Sequence, residues 1–102
     1  MFLSKLSNET PAYKAVVALN GVSDLSHRER QAFIKMIVDD EDPRYAATAL
    51  DFANNVSPVE AELLIGRVVQ AKDPWLAFEV LHGIDHLTER EKELLRPAAV
   101  FD

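Results

Sequence analysis

Two histidines and an aspartate fall close together in the chain, at His82, Asp85 and His86. Imidazoles four residues apart on one helix can present both rings to a zinc ion, and a nearby carboxylate can serve as third ligand. Here Gly83 lies between them and a helix-start signal follows at Thr88, so a turn is expected instead. The ligand set is also incomplete. His82 then reads as an exposed helix residue, and His86 as a loop residue. His27 follows a capping serine and is expected to face solvent. A histidine beside a carboxylate could move protons, but no nucleophile accompanies any of the three. We therefore assign no catalytic, metal-binding or cofactor-binding residue and expect no enzyme. The chain has no cysteine, which removes disulfides, thiolate metal sites, iron–sulfur clusters and cysteine nucleophiles.

The bulk numbers fit one globular domain over residues 1–102, with 48% hydrophobic and 27% charged residues. A formal net charge of −6 repels phosphates, so nucleic acid is disfavoured as a partner. No apolar run is long enough to cross a membrane. The start, Met1-Phe2-Leu3-Ser4-Lys5-Leu6, is too short and polar for a signal peptide. A cytoplasmic protein is expected. Asp39-Asp40-Glu41-Asp42 forms one acidic run, read as a solvated loop or, more sharply, as a docking point for a basic partner.

The punctuation of the chain defines the elements that hold these residues. Ser26-His27-Arg28-Glu29, Ser57-Pro58-Val59-Glu60 and Thr88-Glu89-Arg90-Glu91 share the pattern Ser/Thr-x-x-Glu at a spacing of 31 residues. This is a capping box: the hydroxyl accepts the third helical N–H and the glutamate reaches back to the cap's own N–H. Thr10-Pro11, Asp42-Pro43 and Asp73-Pro74 interleave with the boxes. Each reads as an N-cap before proline at the first helical position, where the missing N–H costs nothing. Six helices are predicted, near 11–20, 27–38, 43–54, 58–71, 74–83 and 89–99.

The apolar residues follow the same period. Tyr13, Tyr45 and Leu76 align in the proline-started helices, as do Ala15, Ala47 and Phe78, and then Ala18, Leu50 and Leu81. In the box-started helices Ala32, Leu63 and Leu94 align, beside Phe33, Leu64 and Leu95, with Ile37, Val68 and Ala99 one turn later. All are expected to face the core. Gly21 and Gly83 are expected as left-handed C-caps, with Asn54-Asn55 in that role in the second unit. Short connections make neighbouring helices antiparallel. The expected fold is all-α: three antiparallel hairpins, at 10–38, 42–71 and 73–100, with residues 1–7 as an N-terminal capping segment. Stacking them buries stripes that one hairpin cannot, giving a short right-handed α-solenoid or curved bundle.

The stretch Asp42-Pro43-Arg44-Tyr45-Ala46-Ala47-Thr48-Ala49-Leu50 resembles the first helix of a HEAT-like repeat, and Asp73 to Leu81 is similar. The period is that of the short, phycobilin-lyase-type repeats. The arginine usual in such helices is replaced by Lys14, Ala46 and Ala77. The resemblance implies a HEAT-like solenoid that binds another protein and performs no chemistry.

Candidate partner-binding residues follow from position. The repeat equivalents of Trp75 are Ala12 and Arg44, which suggests an outward place, and exposed tryptophan is enriched at interface hot spots. The box-started helices of a solenoid usually line its concave face. Their non-stripe residues are Gln31 and Lys35, Glu62 and Arg67, Glu93 and Arg96. They alternate in charge, which suits a polar protein surface, or plain solvent, better than a phosphate backbone. The expected function is a protein–protein interaction module, a small adaptor or inhibitor. Two alternatives are a self-assembling subunit that forms a homodimer through the apolar ends, and an acidic immunity or anti-defence protein that blocks a basic surface.

Overall fold

Proline and the Ser/Thr-x-x-Glu boxes both act at helix N-termini, so helix starts are the best-determined points of this chain. The computed structural model describes residues 10–52 and 56–100. Its α-helices are α1 (Pro11–Gly21), α2 (His27–Asp39), α3 (Arg44–Phe52), α4 (Pro58–Gln70), α5 (Pro74–Gly83) and α6 (Glu89–Leu95), followed by a 3₁₀ turn at Arg96–Ala99. Among the described residues there is no strand.

All three capping boxes close reciprocally. Ser26, Ser57 and Thr88 accept the N–H of Glu29, Glu60 and Glu91 at 3.1, 3.2 and 3.1 Å. The glutamates accept the caps' own N–H groups at 2.9, 3.0 and 2.9 Å. Thr10 and Asp73 cap α1 and α5 with their side chains. The Asp42 carboxylate accepts the Arg44 N–H at 3.0 Å, and Pro43 stands in the turn just before α3.

The helix ends depart from expectation in three places. Neither Gly21 nor Gly83 has positive φ. The chain leaves α1 and α5 through Val22 and Ile84 in extended backbone, which β-branched residues favour. The left-handed residue is Lys72, φ 54°, just after α4. α6 stops at Leu95, short of the expected 99, because Pro97 has no N–H to give the Glu93 carbonyl. The expected Asn54-Asn55 cap lies outside the described residues.

Packing runs along the chain order. α1 lies on α2, α3 on α4, and α5 on α6 and the 3₁₀ turn; α1, α3 and α5 touch in sequence, as do α2, α4 and α6. The radius of gyration is 12.7 Å, with extents of 41 × 27 × 20 Å, close to the roughly 13 Å of a compact chain this long. α3 occupies the middle and is buried at every position from Tyr45 to Leu50. Its small residues, Ala46, Ala47 and Ala49, permit neighbours on all sides, and the Thr48 hydroxyl donates to the Arg44 carbonyl at 2.8 Å. α1 and α5 flank it and bury opposite flanks: Ala12, Ala15, Val16 and Leu19 in one, Leu76, Ala77 and Val80 in the other. Repeat-equivalent positions therefore differ in burial. Ala15 and Ala47 are inside, but Phe78, expected with them, is 40% exposed.

A candidate protein-binding groove between α2 and α4

α4 carries more apolar residues than one face can bury. Its buried face is Ala61, Leu64, Ile65 and Val68. One residue is a turn of about 100° around a helix, so Leu63, next to Leu64, falls outside that face and is 52% exposed. Val59, one turn earlier, is 70% exposed. Across from them α2 contributes Ile34 and Val38, with Gln31, Lys35 and Asp39 along its rim. With His27, Ser57 and Glu60 these residues enclose a groove of about 530 Å³. The expectation that Ala32, Leu63 and Leu94 form a core stripe is thereby corrected, since Ala32 and Leu94 are exposed as well. The box-started helices bury the neighbouring stripe, which includes Ile37, Leu64, Val68 and Leu95.

A polar framework spans the groove at both ends. Near the helix starts, the Arg30 guanidinium donates twice to the Glu60 carboxylate, at 3.0 and 3.1 Å. Glu60 also serves the capping box with Ser57. Burial pushes its carboxyl up, but the hydrogen bonds and charge of Arg30, with the Ser57 N–H, outweigh burial and hold it below the usual glutamate range. At the far end, Arg67 donates to the carbonyls of Asp40 and Glu41 at 3.0 Å. Arg30 meets α4 near its start and Arg67 meets the chain just past α2, so α2 and α4 run in the same direction.

The acidic run closes that far end. Lys35 pairs with Asp39 at 2.6 Å, and Arg44 with Asp42 at 2.6 Å. The Arg44 hydrogen bonds hold the Asp42 carboxyl below its usual range. Asp40 accepts the Asp42 N–H at 2.8 Å, and Glu41 is exposed.

The candidate residues read from the sequence do not form one row. Gln31 and Lys35 line the groove. Arg67 faces the α2 end of it through its carbonyl contacts. Glu62 lies toward α6 and accepts from Arg90 at 3.0 Å. Glu93 is exposed, and Arg96 is 3.8 Å from Glu89 at the start of the 3₁₀ turn. Trp75 is 66% exposed on α5, edge-on to Phe78 at 6.2 Å. Its repeat equivalent Ala12 is buried, so the outward place of Trp75 follows from α5's position in the row and not from repeat equivalence. The apolar lining, Val38, Val59 and Leu63, was not among the sequence candidates. The available signal was the second apolar pair on α4, Val59 and Leu63, one turn apart and off the phase of Leu64 and Val68.

His82 and His86 have different neighbours. His82 packs against the Phe78 ring at 4.4 Å, and His86 Nε2 lies 3.4 Å from the Asp51 carbonyl. The described residues hold no cluster of three metal-ligating side chains. None of their helices is long and apolar enough to cross a membrane. The apolar ends, Phe2, Leu3, Leu6 and Phe101, lie outside the described residues. No protein-family model, no curated protein and no solved structure matches the chain.

Proposed function

We propose that the chain is a protein-interaction module, an adaptor or inhibitor that works by surface complementarity and performs no chemistry, in the cytoplasm. In this reading the three helix pairs stack as a short HEAT-like solenoid, and the face formed by α2 and α4 receives the partner. The observation that carries the proposal is the apolar groove, with Val59 at 70% and Leu63 at 52% exposure. Large aliphatic side chains left in water along a concave, preformed surface mark interaction sites. The acidic net charge suits a partner with a basic surface.

Site-specific photo-cross-linking in the native host tests this. A photoreactive residue at Leu63 should trap a discrete protein partner, whereas the same residue at Val17, exposed on α1 outside the groove, should not. Equal products from both positions, or none from Leu63, would refute the reading.

A further inference from the structure

The walls of the groove restrict what can lie in it. α2 and α4 satisfy their backbone N–H and C=O groups internally, so they offer no strand edge. An extended peptide would lay unpaired backbone groups on an apolar surface, which is costly. A helix arrives with those bonds already made. The apolar lining comes in turn-spaced pairs, Ile34 with Val38 and Val59 with Leu63, and such rows receive the i, i+4 ridge of another helix. α2 and α4 are each 13 residues long, or about 20 Å, which matches three to four turns of an incoming helix.

Charge distinguishes the two ends. At one end stand His27 and the N-termini of two parallel helices, whose positive dipole ends are met by the capping glutamates Glu29 and Glu60. At the other lie the helix C-termini, whose dipoles are negative, with Asp39 paired to Lys35 and Asp40 and Glu41 just beyond α2. Arg67 takes the backbone carbonyls of Asp40 and Glu41, the Asp40 carboxylate accepts the Asp42 N–H, and Glu41 is an exposed acid of this end. The geometry points to an amphipathic helix of a partner protein as the occupant, apolar along one stripe and basic at the end that lies over Glu41 and the helix C-termini. This inference rests on the interaction-module reading and names its partner's chemistry.

The probe is a synthetic amphipathic peptide of about 16 residues, with leucines at helical spacing and lysines at one end, made in both end orders. Its control carries glutamates in place of the lysines. Binding to the full chain is read by fluorescence anisotropy. One lysine peptide should bind at least about five-fold tighter than its control, and the gap should shrink with salt. Glu41→Lys should erase most of that preference. Leu63→Glu and Val59→Glu, at exposed positions that spare the fold, should each weaken binding about ten-fold or more. Equal affinity for lysine and glutamate peptides, or binding of none, would overturn the partner chemistry and leave the groove itself standing. Binding that ignores both groove variants would overturn the groove reading too. A dimer in sedimentation that Leu63→Glu dissolves would make a second copy the occupant and also overturn the inference.

Discussion

Leu63 and Leu64 are chain neighbours with opposite roles. Leu64 is fully buried, and Leu63 is 52% exposed on the groove wall. Leu64→Ala should therefore cost about 3 kcal/mol through lost burial and the cavity left behind, and Leu63→Ala no more than about 0.5 kcal/mol. Urea unfolding of the two variants, compared at constant m-value, checks this. A second contrast concerns Arg30. It is the main counter-charge of Glu60, whose side chain is 11% exposed. Arg30→Ala leaves that carboxylate poorly solvated and should cost about 2 kcal/mol, somewhat less than breaking a fully buried pair. The linkage has a definite sign. The folded carboxyl of Glu60 is lowered, so its stabilising contribution is present above the unfolded glutamate pKa and is lost as pH falls through the folded one. Asp42 acts in the same direction. Wild-type stability should rise with pH through the acid range, and the rise should be smaller in Arg30→Ala. A steeper rise in that variant would contradict the assignment.

At the scale of the helix, starts were legible in the chain and ends were less so. A cap is a local device: hydroxyl, glutamate and proline act within four residues, and one sequence contains all of them. Five of the six expected cap residues take up side-chain capping, and Asp42 instead bonds Arg44 at the turn. Helix ends depend on where the exit chain must go, and Val22 and Ile84 leave in extended backbone without a left-handed glycine. Two predictions separate these cases. Ser57→Ala should cost about 1 kcal/mol or slightly more, since it loosens a glutamate that also holds Arg30. Gly83→Ala should raise stability by about 0.5 kcal/mol and mid-helix Gly66→Ala by about 1 kcal/mol, because both have negative φ and open space where a Cβ would sit. Thermal unfolding reads all three. Destabilisation by Gly83→Ala would restore the left-handed cap expected from the sequence.

For the whole molecule, periodicity announced which helices exist but not which flank each one buries. That depends on a helix's place in the row. α3, in the middle, is covered at every position from Tyr45 to Leu50, while α1 and α5 face it from opposite sides. A 31-residue repeat treats equivalent positions as equal, and so it put Phe78 with Ala15 and placed Leu63 in the core. The groove was hidden by the same assumption, because its aliphatic walls read as core residues. Its polar rim, Gln31 and Lys35, was legible as non-stripe positions, whereas Glu62, Glu93 and Arg96 fall toward other parts of the surface. On the proposed reading the α2–α4 groove is the partner-binding surface. The most direct measurement is the affinity of the partner cross-linked at Leu63, purified, for wild-type chain and for Leu63→Glu, with the variant's unfolding midpoint recorded alongside. Binding in the groove should show as an affinity loss of about ten-fold or more at an unchanged midpoint. An unchanged affinity would contradict it.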